Sequence, residues 1–106
     1  MMKSSRQIEG ELIVYCARVA CGEKVAVSTQ REANVLAVAA KALGGQFHAE
    51  RERMREAAES YLCAHENERL GTSEVIRAGW VVSLPRMNDF LTRQICDVRR
   101  QHVRTP

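Results

Sequence analysis

Apolar side chains recur at spacings of three and four along almost the whole chain, from about residue 4 to about residue 102, and no strand-like alternation interrupts them. Ile8, Leu12, Tyr15, Cys16 and Val19 predict a first helix over Ser5–Ala20, with Ser4 and Gln7 spaced as a capping box and Gly22 just past the end. A second helix opens at Thr29-x-x-Glu32 and closes at Gly44-Gly45. Almost everything between is apolar: Val35, Leu36, Val38, Leu43 and many alanines. A short helix that is hydrophobic all round is one that the others surround.

The third and longest helix is expected over 47–69, with Phe47, Met54, Ala58, Tyr61, Leu62 and His65 on one side and charge on the other. Glu52 with Arg55, and Arg55 with Glu59, fall at the i,i+3 and i,i+4 spacings of helical ion pairs. Gly71 ends it. Thr72 or Ser73 then caps a fourth helix, with Glu74 in its first turn and Val75, Ile76, Trp80 and Leu84 buried. Pro85 disfavours helical geometry at Leu84 and so predicts a break, after which Ser83 can cap a fifth helix. That helix turns Met87, Phe90, Leu91, Ile95 and Val98 inward. Arg86, Arg93, Arg100 and Arg104 fall within about 40° of one another on a different, solvent-facing side. The expectation is an all-α, compact bundle of about five helices around a central apolar helix, roughly 29–43, forming a single domain over residues 1–106.

The composition, 45% hydrophobic and 27% charged, is that of a folded globular chain. The longest nearly unbroken apolar stretch, 33–43, falls far short of the roughly 20 residues that a membrane span needs. Lys3 and Arg6 precede Leu12-Ile13-Val14, but Glu9 and Glu11 intervene, so no secretory signal is read. A soluble cytoplasmic protein is expected, with its four cysteines reduced and at least three of them small buried hydrophobes.

The net charge of +3 has a definite address. Residues 1–85 hold eleven bases and eleven acids, whereas Arg86, Arg93, Arg99, Arg100 and Arg104 face only Asp89 and Asp97.

No catalytic, cofactor or metal residues are read from the sequence. His65-Glu66 begins like a zinc-protease helix, but Arg69 stands where the second histidine is needed. Cys63 with His48, or Cys96 with His102, would have to meet through the fold to form a nucleophile pair. The second and third helices around Gly44-Gly45 have the order of a helix-turn-helix. The would-be recognition helix, however, sets Arg51, Arg53, Arg55 and Arg69 against six glutamates, a poor groove reader. Gly71-Thr72-Ser73-Glu74-Val75-Ile76-Arg77-Ala78 resembles the helix opening of ribbon-helix-helix antitoxins, but a charged helix precedes it instead of a basic strand.

Over its full length, from Met1-Met2-Lys3-Ser4-Ser5-Arg6 through Gly79-Trp80-Val81-Val82 to Arg104-Thr105-Pro106, the chain resembles the small anti-CRISPR proteins of Pseudomonas mobile elements that act on type I-E systems. The resemblance is to the whole chain and rests on no motif. It implies a stoichiometric, non-enzymatic inhibitor in the cytoplasm of a bacterial host, bound to a protein subunit of the type I-E surveillance complex or of the helicase-nuclease that the complex recruits. Target DNA recognition or cleavage would be blocked. Two surfaces suit such a contact: Arg86, Arg93, Arg100 and Arg104 toward an acidic patch, which is favoured because arginine is enriched in hot spots, or Glu52, Glu56 and Glu59 in imitation of nucleic acid. The alternative function is a small helical DNA-binding transcriptional regulator, motivated by the basic C-terminal segment.

Overall fold

The computed structural model describes residues 4–23, 25–80 and 82–104, with side chains as far as Gln101. Helix α1, Ser5–Ala20, begins at a closed capping box: the Gln7 N–H donates to the Ser4 hydroxyl at 3.2 Å, and the Ser4 N–H donates to the Gln7 side-chain oxygen at 2.8 Å. It ends at Gly22, whose φ of 89° would strain a side chain. There the Glu23 N–H reaches back to the Arg18 carbonyl at 3.0 Å.

Helix α2, Gln30–Leu43, is capped by the Thr29 hydroxyl, which accepts the Glu32 N–H at 3.1 Å. The reciprocal half of the expected box does not form. The Glu32 carboxylate instead accepts the N–H and hydroxyl of Ser28, at 3.0 and 3.1 Å. Gly44 stops α2 at φ 60°.

Helix α3 runs His48–Leu62, not to Arg69 as expected, and His65 falls outside it. The reason is a buried amide on α2. Asn34, 1% exposed, donates to the Glu68 carbonyl at 3.2 Å and accepts the Leu70 N–H at 3.0 Å. Those two bonds, with one from Gln30 to the same carbonyl at 2.5 Å, take backbone groups that a continuing helix would use for itself. The chain instead makes a 3-10 turn over Glu66–Glu68 and passes extended into α4, Thr72–Arg77.

The residue preceding α4 is Gly71, whose N–H donates to the Glu74 carboxylate at 2.9 Å. Thr72 and Ser73 therefore lie inside the helix instead of capping it. Gly79, φ 76°, follows the last turn and leaves Trp80 outside, half-buried, with the Arg31 guanidinium 5.2 Å from its ring centroid.

Helix α5, Leu84–Arg104, also departs from expectation at its start. Leu84 is helical, and Pro85 sits in the first turn, where a missing N–H has no helical partner to lose. Ser83 opens the ladder by accepting the Met87 N–H at 2.9 Å. Met87, Leu91 and Ile95 are fully buried, as their spacing predicts, and Val98 is half-buried. Phe90 is not inward: it is 37% exposed, because it lies about 100° around the helix from Leu91.

One core draws on all five α-helices, and α2 packs against each of the other four. Ala33, Ala39 and Ala40 are buried to within 5% and let the neighbours approach closely, while Leu36 and Leu43 fill the centre. Burying each such leucine contributes about 2 kcal/mol. The architecture is thus the expected all-α bundle around a central apolar helix. The cysteines depart from expectation, since only Cys16 is fully buried. Cys21 and Cys96 are half-buried, Cys63 is exposed, and all four are free thiols. Helix α5 is too charged to resemble a span, and no described helix is long and apolar enough to cross a membrane.

Candidate interaction surfaces

Burial of Met87, Leu91 and Ile95 fixes the rotation of α5 and therefore where its arginines point. Arg86, Arg93 and Arg100 lie on the side turned away from the core and are exposed. The Arg104 side chain lies outside the described residues. Arg86 leans over the exposed ring of Phe90, its guanidinium carbon 5.9 Å from the centroid, and Arg100 binds Asp97 at 2.8 Å. Among the described residues, Arg86 and Arg93 make no ion pair.

Arg99 belongs to a different surface. One guanidinium nitrogen donates to both oxygens of Glu50 at 2.6 and 2.7 Å, and the Arg99 guanidinium stands 4.9 Å from the Phe47 centroid. The Glu50 side chain is 6% exposed, so this pair clamps α3 to α5 at the edge of the core.

The α3 carboxylates are turned largely to internal use. Glu52 pairs with the adjacent Arg55 at 2.5 Å, and hydrogen bonding to that guanidinium holds its carboxyl below the ordinary value. Glu59 does not pair with Arg55 as spacing suggests. It takes a two-pronged bond from Arg69, both contacts 3.0 Å, because the early end of α3 brings Arg69 back alongside. That bond holds Glu59 low. Glu56 remains exposed, within electrostatic reach of Arg55. Glu52 and Glu59 are thus engaged by arginines of the same chain, and Glu56 is left open to solvent.

The cysteine and histidine candidates make other contacts where they are described. The Cys63 thiol donates to Glu59 at 3.6 Å, and burial pushes the Cys16 thiol up, away from the reactive thiolate. His65 stacks on Tyr61 with centroids 4.2 Å apart, His48 is exposed, and the His102 side chain lies outside the described residues. Among the described residues, no three His, Cys, Asp or Glu side chains gather as a metal site requires.

A surface that the periodicity missed lies between α1 and α5. Val14, 45% exposed, and Phe90, 37% exposed, are the large hydrophobic side chains left open to solvent among the described residues, and they line the same groove. Ile13 and Val82 contribute further apolar wall, and the groove encloses about 430 Å³. Arg6, Glu9, Arg86 and Gln94 form its edges. Gly10 sits mid-helix between them, and a methyl group added there would meet nothing within 4 Å. A glycine inside a helix costs about 1 kcal/mol relative to alanine, and packing within this fold does not require it. Two sequence features belong to it, although neither alone places α1 beside α5: the glycine inside α1, and the position of Phe90 only about 40° from Arg86. Compared with known protein families, curated proteins and solved structures, the chain matches none of them.

Proposed function

We propose that this chain is a stoichiometric, non-enzymatic inhibitor that acts by binding a protein, and that its target is a subunit of a type I-E CRISPR-Cas system, in the surveillance complex or in the helicase-nuclease it recruits. The observation that carries the binding half is the meeting of Val14 and Phe90 in one groove, edged by Arg6 and Arg86, with Arg93 further along the same outward face of α5. Aromatic anchors and arginines are the residue types that dominate binding energy when a partner excludes water from them. The target half rests on the whole-chain resemblance. An inhibitor of this kind needs only to occupy a surface that DNA or a partner subunit must reach, in the cytoplasm of the host.

The arginine face favours a protein partner over DNA. Phe90 stands among the arginines, so a phosphate backbone would meet an apolar ring where it needs successive cations. Expression in a host with an active type I-E system tests the reading: phage plating should recover. Plating that stays restricted with the protein present refutes it. For the DNA-binding alternative, a gel shift should show no salt-sensitive duplex binding at micromolar protein; such binding would support a regulator instead.

A further inference from the structure

From the groove between α1 and α5 we infer the partner's chemistry: it receives an acidic amphipathic helix, whose apolar residues seat on Val14 and Phe90 while its carboxylates meet Arg6, Arg86 and Arg93. The inference rests on the protein-binding half of the proposed function and is independent of the CRISPR target.

Length comes first. The α1 wall runs from Arg6 to Val14 and the α5 wall from Arg86 to Gln94, each about 12 Å at 1.5 Å per residue. That is a little over two helical turns, the footprint of apolar anchors at i, i+3 or i+4, and i+7. Gly10 supplies the depth. Its open position keeps the α1 wall low opposite the apolar anchors, at a cost to helix stability that nothing inside the fold repays.

Charge then selects among occupants. Arg6, Arg86 and Arg93 are exposed and make no ion pair among the described residues, so an incoming carboxylate displaces no internal partner. A second copy of this chain, docked symmetrically through the same face, would bring its excess of positive charge against itself, which disfavours self-association. Nucleic acid is disfavoured by the apolar walls, since Val14 and Phe90 offer a phosphate backbone nothing to bind. An acidic helix with an apolar stripe satisfies the apolar walls and the three arginines.

The probe is a synthetic helix-forming peptide of about fourteen residues with leucines at i, i+3 and i+7 and flanking glutamates, titrated into the full chain and read by amide chemical shifts. Saturable shifts should appear at Val14, Val82 and Phe90 and weaken at high salt. A companion peptide with lysines in place of the glutamates should bind at least about tenfold more weakly. Gly10→Leu should abolish the shifts while its melting temperature does not fall, which separates a filled groove from a misfolded chain. Equal binding of the lysine peptide, shifts that map elsewhere, no saturable shift, or a concentration-dependent dimer through this face would each overturn the inference. If the peptide binds but phage plating stays restricted, the groove stands and only the CRISPR assignment falls.

Discussion

Asn34 decides where α3 ends. In the sequence it reads as a polar interruption of an apolar run, yet its amide is fully bonded, to the Gln30 and Glu68 carbonyls and the Leu70 N–H. Asn34→Ala would leave the Leu70 N–H without its partner and the Glu68 carbonyl with Gln30 alone, and should cost about 1–3 kcal/mol in urea unfolding. An unchanged midpoint would show that the 3-10 turn holds itself. Gly10 works in the opposite sense. Gly10→Ala should raise stability by about 0.5–1 kcal/mol, because the added methyl group has open space and the helix gains a better former.

Cys16 gives a pH signature at the same scale. Burial holds its thiol protonated well above the ordinary range, whereas the unfolded thiol ionises near pH 8.5. The unfolded state therefore releases a proton that the folded state keeps. The linked stability is intact below about pH 8.5 and falls above it by up to about 1.4 kcal/mol per pH unit. Cys16→Ala should make that alkaline decline shallower between pH 8.5 and 9.5, the Cys21 thiol, also raised by burial, supplying part of what remains. An identical slope in the variant would locate the titrating group elsewhere.

Between elements, the clearest contrast is that of two neighbouring arginines on α5. Arg99 binds the buried Glu50 and joins helices distant in sequence, whereas Arg100 binds Asp97 one turn away in solvent. Arg99→Ala strands a buried carboxylate and should cost about 1–3 kcal/mol, allowing for the exposed half of the pair. Arg100→Ala should cost at most about 0.5 kcal/mol. Equal losses would mean that the clamp adds nothing to α3–α5 docking. The helices themselves were legible because capping residues, glycines and the three-four spacing are local signals: Ser4, Gly22, Thr29 and Gly44 act where expected. What the sequence hid is tertiary. The end of α3 is set by an amide from another helix, Arg69 reaches Glu59 only because that helix ends early, and Phe90 was assigned inward because a hydrophobic side chain at core spacing looks the same whether or not a neighbour covers it.

At the scale of the molecule, α2 is the strut and the other helices present what remains. The acidic side of α3 is largely spent on internal arginines, while the outward side of α5 keeps Arg86 and Arg93 uncommitted beside an open apolar groove. The candidate arginines were legible as a row, but the groove that gives the row an anchor was not, since it requires α1 and α5 to lie side by side. The central claim is that this one face does the protein's work by contact alone. Phage plating on a type I-E host is the direct test, comparing the natural chain with Phe90→Asp and with Arg86→Glu/Arg93→Glu, each first shown by circular dichroism to melt as the natural chain does. Recovered plating with the natural chain and restored restriction with both face variants is the predicted result; full recovery with the variants, or none with the natural chain, contradicts it.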